Sequence, residues 1–316
     1  MRSVVGSVVG TTARTVVRTD VQAQGLRLAL WDHAPDAGTS PDAPRLPIAL
    51  CVHGALDTGR SFDAVAELLA GQARVFAVDL RGHGRSDRTG AGGSYHLLDF
   101  LKDLAFVVDH LRAFGGVDVL LGHSMGGNLA LMLAGAVPDC ARGLVLVDSV
   151  GPPGEEGREQ PARIGELLRT IVEPKRDFAP VRSLDDGALR LQLWNPGLTD
   201  LAAHRMLEHA LIPRVDDDGV ATGLLDFPFD PRLRGPTPFR FSDETWAAFA
   251  QRVTAKTTIL RASDGYVPAG DVDGTLGAPF GERATLMKAK VVVVEGGHHL
   301  HVHQPQALAT AILELL

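Results

Sequence analysis

The stretch that decides the fold reads Val117-Asp118-Val119-Leu120-Leu121-Gly122-His123-Ser124-Met125-Gly126-Gly127. It begins with a short, mostly apolar run, which predicts a buried strand. The segment from Met125 to Val137 holds small and aliphatic residues and ends before a proline, which predicts a helix. The glycines on both sides of Ser124 remove side chains that would clash in a tight strand-to-helix turn. The stretch therefore predicts a strained turn that lifts the Ser124 hydroxyl above the edge of a sheet.

Strand and helix patterns alternate on both sides of this turn. Such alternation predicts an α/β fold, in which right-handed crossovers build a mainly parallel sheet with helices on both faces. With the strand at 117–121, the sheet is predicted to have eight strands. The other seven are expected at 16–17, 26–31, 47–52, 75–78, 144–147, 257–260 and 291–294, with long helices at 61–70, 97–114 and 304–316.

The alternation of strand and helix patterns ends after the strand at 144–147. Pro, Gly and Asp become frequent there, and helical patterns are short. A structureless loop of that length is improbable in a compact domain. We therefore predict a helical cap at 151–245, inserted after the sixth strand, between core segments at 15–150 and 246–316. Residues 1–14 are predicted to form a flexible leader. Short cap helices are expected at 164–172, 187–194 and 201–211.

The chain has 316 residues, with 31 Lys and Arg against 38 Asp and Glu, which gives a formal net charge of −7. This balance, without a block of basic residues, argues against a nucleic-acid or anionic-membrane partner. No apolar stretch approaches the ~18 residues of a transmembrane helix. Two cysteines cannot form a disulfide framework. We therefore expect a soluble, cytoplasmic protein with a small-molecule substrate, and a homodimer stays compatible with the sequence.

A serine hydroxyl needs a neighbouring base to become a nucleophile, and 12 histidines compete for that role. The strand at 291–294 runs into Glu295-Gly296-Gly297-His298-His299. A base on a loop just beyond a strand end can swing over the serine, which favours His298, the first histidine after the two glycines. The histidines that follow are interpreted as solvated or locally packed. No metal or cofactor is predicted, because no acidic residue is interleaved among them and no H-E-x-x-H spacing occurs.

The base in turn needs a carboxylate that orients its ring and stabilises the imidazolium. Asp148 and Asp264 both lie just past predicted strand ends, and either preserves the chain order serine, acid, histidine. Asp264 is favoured because its strand directly precedes the strand that leads to His298. Asp148 is then interpreted as a strand-terminal residue that caps the turn into the cap segment.

The oxyanion formed by attack on a carbonyl needs hydrogen-bond donors that are already in place. Met125, the first residue of the predicted helix, supplies one backbone N–H. The second is predicted to be the N–H of Ala55, because Gly54 lets the backbone approach closely. His53 precedes the serine and lies in a turn, so it is interpreted as a structural residue bonded to the loop backbone.

Together these residues resemble the α/β-hydrolase superfamily over nearly the whole chain from about Thr15. The resemblance implies that the third and fifth strands are neighbours, which brings Ala55 beside Met125. The spacing to Pro305 matches the usual ending of the family and implies that His298, rather than His299, is the base. The matching motifs are His53-Gly54, Asp79 to Ser86, Gly122 to Gly127, and Gly297-His298 with Pro305.

More narrowly, the chain is similar to the serine hydrolase-like group of capped α/β hydrolases. One departure concerns the pocket wall, since Ala55-Leu56 stands where many relatives carry a bulkier residue. A backbone donor tolerates that change. The supporting segments are 53–57 with 61–63, 146–152, 230–234 and 261–266.

The resemblance implies a cofactor-independent serine hydrolase that cleaves a carboxylic ester or lactone through an acyl-enzyme on Ser124. Other superfamily members use an Asp nucleophile for displacement at carbon, so a serine indicates acyl transfer to water. One alternative is a carbon–carbon bond hydrolase or lyase that uses the same triad. Another is a non-catalytic small-molecule receptor, because fold alone does not establish catalysis.

The cap is expected to set the choice of substrate. Its aromatic residues either line an apolar acyl pocket or simply join cap to core. The candidate pocket residues are Leu56, His123, Trp194, Phe227, Phe229 and His299, with Phe239 and Phe241 as further aromatic candidates.

Overall fold

The structure, a computed structural model, describes residues 16–34, 45–173, 177–237, 239–271 and 275–316, so the predicted leader at 1–14 lies outside the described residues. The strands are β1 Val17–Ala23, β2 Leu26–Asp32, β3 Ile48–Val52, β4 Arg74–Val78, β5 Val117–His123, β6 Ala141–Val147, β7 Ile212–Val215, β8 Ala221–Asp226, β9 Lys256–Asp264 and β10 Lys290–Gly297. The α-helices are α1 Asp63–Leu68, α2 Leu97–Leu111, α3 Met125–Ala136, α4 Gln160–Val172, α5 Leu184–Trp194, α6 Asp200–Leu207, α7 Asp243–Arg252, α8 Phe280–Leu286, α9 Leu300–His303 and α10 Pro305–Leu313.

Eight strands form one sheet in the order β1-β2-β4-β3-β5-β6-β9-β10. β2 pairs antiparallel with β1 and β4, and the remaining neighbours are parallel. Every residue of β3 and β5 is buried, as expected for strands that are covered on both faces. The predicted α/β-hydrolase fold, with its mainly parallel eight-stranded sheet, is confirmed.

Helices cover both faces of the sheet because successive residues of each strand point to opposite sides. In β3, Leu50 packs in one apolar layer with residues of α2, α3 and α7. Its neighbour Cys51 packs in the other layer with residues of α1 and α10. The strands are therefore buried between two helical layers, which leaves their carboxyl ends as the edge where loops can form a site.

The segment between β6 and β9 holds α4, α5 and α6, followed by an antiparallel hairpin of β7 and β8 and then α7. The hairpin is not predicted by the sequence, because Pro213 and mostly exposed residues hide its alternation. Trp246 of α7, the first residue after the predicted end of the cap, is buried in the main core. The cap boundaries themselves, at 151 and 245, stay a prediction. The segment contributes most of a further apolar cluster, which Val302 of α9 joins; its members include Val181, Leu191, Met206, Phe227 and Phe229.

This segment is tied to the loop after β4 through main-chain hydrogen bonds. The N–H of Gly84 donates to the carbonyl of Pro228 at 2.8 Å, and the N–H of Asp230 donates to the carbonyl of Gly82 at 2.8 Å. The hydroxyl of Tyr95 adds a 2.6 Å hydrogen bond to the carboxylate of Asp230. Within the described ranges, no helix is both long enough and apolar enough to cross a membrane.

Candidate active site

Ser124 lies at a sharp turn between β5 and α3, as the sequence predicts. Its backbone has φ 52° and ψ −118°, a conformation that is strained for a residue with a side chain. The neighbouring chain is packed too closely for larger residues. A Cβ on Gly126 would lie 2.2 Å from the carbonyl oxygen of Val52, and a Cβ on Gly122 would lie 2.3 Å from that of Gly126. The turn therefore requires glycine at both positions.

His298 follows β10 and contacts the serine directly. Its Nε2 lies 2.9 Å from the Oγ of Ser124, and its side chain keeps 30% of its surface exposed. Gly296, two positions before it, has φ +132° and lies at an irregularity in the pairing of β10 with β9. The strand end therefore turns so that the ring reaches over the serine, the position that the sequence predicts for the base.

The carboxylate that contacts His298 is Asp148, whose Oδ2 lies 2.6 Å from Nδ1 of the ring. Asp148 follows β6, is fully buried, and has φ +44°. Backbone N–H groups of Tyr266 and Val267 donate to its carboxylate at 2.6 and 3.4 Å. Because Nδ1 faces a carboxylate, it carries the ring proton, and Nε2 is left to accept the proton of the Ser124 hydroxyl.

The prediction that Asp264 contacts His298 is wrong. Asp264 ends β9 as an exposed residue that pairs with Gly297 through the backbone. The loop that follows β9 instead folds around the Asp148 carboxylate, and a Cβ on Gly265 would lie 2.4 Å from its Oδ2. The order of strands along the chain does not predict the acid correctly. In the sheet, β6, which precedes Asp148, lies between β5 and β9 and so is the direct neighbour of the strand that leads to Ser124.

The predicted oxyanion donors lie on adjacent strand ends, because β3 pairs with β5. The loop after β3 passes so close to the turn that a Cβ on Gly54 would lie 3.2 Å from the Cβ of Ser124. Within the described part of the chain, the backbone N–H groups of Ala55 and Met125 donate to no protein acceptor. Both are thus available to a ligand, and their role in stabilising an oxyanion stays a prediction.

Two histidines hold this loop in place. His53 accepts a hydrogen bond from the N–H of Leu80 at 3.0 Å and lies 2.7 Å from the carbonyl oxygen of Gly54, which fits the structural role predicted for it. His83 accepts one from the N–H of Leu56 at 3.2 Å and lies 2.9 Å from the carbonyl oxygen of Arg81. Sequence reasoning missed His83, although it lies inside the 79–86 motif.

His83 is held in its neutral form. Burial, together with the neighbouring His53, lowers the pKa of His83 to about 3. A neutral ring that donates from Nδ1 keeps its Nε2 lone pair free for the Leu56 N–H. Leu56 itself has φ +53°, so this hydrogen bond stabilises a backbone conformation that is unfavourable for leucine.

A cavity of about 590 Å³ opens beside the predicted oxyanion donors. Ala55, Met125 and His83 line it on the core side, and Leu167 and Ile171 of α4 line it on the other. The walls are mainly apolar. Further lining comes from residues 91–97, Phe100, Thr170, residues 231–233 and residues 235–237.

None of the six residues predicted for the pocket lines this cavity. Phe227 and Phe229 are each 2% exposed and pack against Phe178 inside the inserted segment. Trp194 packs against Phe227 at a tilt, with 4.8 Å between ring centroids and an interplanar angle of 47°. These aromatic rings therefore hold the inserted segment together. Apart from the predicted oxyanion donors Ala55 and Met125, the cavity is lined by residues that were not predicted for the site.

The other three residues predicted for the pocket, Leu56, His123 and His299, also lie outside the lining of this cavity. Leu56 packs against the apolar cluster of the inserted segment. His123 is buried, and its Nε2 lies 3.0 Å from the main-chain carbonyl oxygen of His298. The Nε2 of His299 lies 3.3 Å from the side-chain oxygen of Asn195. His123 therefore supports the backbone of the loop that carries His298.

The chain is similar to several known proteins. A family model described as the alpha/beta hydrolase fold matches residues 47–305. A serine hydrolase-like protein of Danio rerio is 28% identical over 273 residues, covering 84% of this chain and 80% of the relative. A 3-hydroxybutyrate-oligomer hydrolase of Cupriavidus necator is 33% identical over 205 residues, which is 64% of each chain.

Among solved structures, a hypothetical protein of Pseudomonas aeruginosa PAO1 aligns with a TM-score of 0.78 and 26% identity, covering 95% of this chain and 98% of that one. The sheet order, the turn at Ser124 and the matched family model agree with one another. This chain belongs to the α/β hydrolase fold family.

Proposed function

We propose that the protein hydrolyses carboxylic esters or lactones through an acyl-enzyme formed on Ser124. One observation carries the proposal: Asp148, His298 and Ser124 form a continuous chain of hydrogen-bonded side chains, with contacts of 2.6 and 2.9 Å. A buried carboxylate, an imidazole and a hydroxyl in that order are the parts needed to activate a serine nucleophile. The proposal needs no cofactor, because these groups supply both the base and the nucleophile.

In the first step, Nε2 of His298 takes the proton of Ser124 while the serine oxygen attacks the carbonyl carbon. The carbonyl electron pair moves to oxygen and forms a tetrahedral oxyanion. The N–H groups of Ala55 and Met125 then donate to this oxyanion, and the positive end of α3 stabilises its charge. The Asp148 carboxylate stabilises the imidazolium that forms on His298.

The intermediate collapses when the bond from carbon to the leaving oxygen breaks. His298 gives its proton to that oxygen, which releases an alcohol and leaves the acyl group on Ser124. A water molecule then loses a proton to His298 and attacks the acyl carbon. The second collapse returns the proton to Ser124 and releases a carboxylic acid. With a lactone, the alcohol and the acid belong to one product.

The cavity supports an ester substrate with an apolar part. Its volume of about 590 Å³ falls in the range of small-molecule sites, and its walls are mostly apolar. The similarity to a hydrolase named for 3-hydroxybutyrate oligomers adds support, because the links in such an oligomer are esters. Neutral acyl groups of moderate size are therefore the substrates we expect first.

The test combines covalent labelling with turnover. A fluorophosphonate probe should label Ser124 in the native protein, and a panel of aryl esters and lactones should be hydrolysed with a burst of alcohol release. Ser124→Ala should abolish both signals, and Ser183→Ala, a remote serine at the start of α5, should change neither. Ester turnover by Ser124→Ala at the native rate would exclude the proposed nucleophile.

The panel should also contain a β-diketone, because the same side chains are compatible with cleavage of a carbon–carbon bond. Turnover of the diketone without turnover of any ester would change the substrate class and leave the nucleophile in place. Tight ligand binding without turnover and without labelling would indicate a receptor.

A further inference from the structure

Three histidine rings outside the proposed triad meet beside it. His123 ends β5, and His299 and His301 lie at the start of α9. One ring nitrogen of each can be chosen so that all three nitrogens lie within 4.8 Å of one another. The Nδ1 atoms of all three rings are buried, and none has a hydrogen-bond partner among the described residues. The side chains of His123 and His301 are at most 1% exposed.

The other nitrogen of each ring defines the tautomer. Nε2 of His123 lies 3.0 Å from a main-chain carbonyl, and Nε2 of His299 lies 3.3 Å from an amide oxygen. Nε2 of His301 lies 3.0 Å from the carboxylate of Asp57. All three partners are oxygen acceptors, so each Nε2 carries a proton, and in a neutral ring Nδ1 then presents a lone pair.

Metal-binding histidines have this arrangement. A ligating ring commonly donates its second N–H to a carboxylate or carbonyl group, which fixes the tautomer and orients the lone pair. Here Asp57, Asn195 and the His298 carbonyl serve as those acceptors. Neutral rings are the form that binds a metal.

Three buried lone pairs without donors are unfavourable. A single water molecule has two hydrogens, so it satisfies two of the three nitrogens and leaves the third without a donor. A dication bound by the three Nδ1 atoms would satisfy all three at once. We infer that His123, His299 and His301 form a binding site for a borderline transition-metal dication such as Zn²⁺, which favours imidazole ligands.

Binding requires a small inward movement of the rings. Zinc–nitrogen bonds of about 2.0–2.1 Å in tetrahedral geometry place ligand nitrogens about 3.4 Å apart. The separations of up to 4.8 Å must therefore shrink by up to about 1.4 Å. The rings of His123 and His301 overlap, with centroids 4.2 Å apart and an interplanar angle of 36°, so they must also tilt.

The experiment uses the untagged full-length protein, so that no added histidines bind metal. Calorimetric titration with Zn²⁺ should give one ion per chain, and Co²⁺ should give the intense visible absorption of a tetrahedral site. His299→Phe should weaken Zn²⁺ binding by about tenfold or more. His303→Gln is the matched control in the same segment, and it should stay within about twofold of the native affinity.

A measurement on the native protein does not depend on a variant folding. Nitrogen-15 spectra of the histidine rings should show the Nε2–H tautomer for the three residues and a shift of their Nδ1 signals on Zn²⁺ addition. An Nδ1–H signal shared between His123 and His301 would overturn the proposal, because a proton would then occupy the site. The proposal would also be overturned if folded His299→Phe bound Zn²⁺ as tightly as the native protein, or if the native protein showed no saturable Zn²⁺ binding.

Discussion

Oδ2 of Asp148 lies 2.6 Å from Nδ1 of His298, although 150 positions separate the two residues in the chain. The carboxylate is completely buried and accepts hydrogen bonds from the backbone of the loop after β9. The ring is thereby held at one orientation by a group that is itself fixed. This relationship makes Asp148, rather than Asp264, the carboxylate on which the reactivity of Ser124 should depend.

Asp148→Asn should lower kcat for ester hydrolysis by about 10³–10⁴-fold. An amide in place of the carboxylate favours the tautomer with the proton on Nε2, and that nitrogen then no longer accepts the serine proton. Steady-state kinetics on an aryl ester, with far-UV circular dichroism to confirm folding, measures the effect. Asp264→Asn is the control and should change kcat by less than about threefold, because its carboxylate is exposed. A larger loss of kcat in Asp264→Asn than in Asp148→Asn would instead identify Asp264, at the end of β9, as the acid.

His83 should make stability fall in mild acid. Its folded pKa of about 3 lies below the ordinary value of 6.5, so between these values the unfolded chain binds a proton that the folded chain does not. This loss of folding stability is absent above pH 6.5. It grows as pH falls, by up to about 1.4 kcal/mol per pH unit. Urea unfolding at about pH 7.5 and about pH 5 should show a loss up to about 2 kcal/mol larger for the native protein than for His83→Phe.

His204 provides a control of opposite sign. A hydrogen bond to Asp185 raises the pKa of His204, so the folded chain binds that proton more tightly and gains stability as pH falls through the raised pKa. His204→Gln should therefore steepen the loss in acid where His83→Phe flattens it. Equal pH slopes for the native protein and His83→Phe would contradict the assignment of a neutral ring.

Leu167→Trp should narrow the cavity from the α4 side, since Leu167 lines it. We expect kcat/KM for an octanoate ester to fall about tenfold more than for the acetate ester. The neighbouring Leu168 is 56% exposed and does not line the cavity, so Leu168→Trp is the matched control. An equal loss for both esters, or the same selectivity change in the control, would place the acyl site elsewhere.

The sheet was predictable because its strands carry their own signal. Runs such as Ile48–Val52 are apolar throughout and buried on both faces, and local patterning indicates that directly. Ser124 and His298 were predictable for a related reason, since glycines next to them define their turns. Information of this kind is local, so a single sequence contains it.

The acid and the pocket depend on which elements become neighbours. Asp148 and Asp264 have equivalent local settings, and the sheet order with the folding of the β9 loop decides between them. Phe227 and Phe229 signal a buried aromatic surface without indicating what it faces, and they pack within the inserted segment. The histidine cluster escaped prediction because its third member, His123, comes from a different strand than the other two.

The hydrogen bonds that join Gly82 and Gly84 to Asp230 and Pro228 fix the inserted segment to the loop after β4. In contrast, α4 on the far wall of the cavity contains no buried residue and is the less costly side to displace. Substrate entry and product exit would then use the same opening beneath α4. The alcohol, which is released first, would leave by the route through which the hydrolytic water enters.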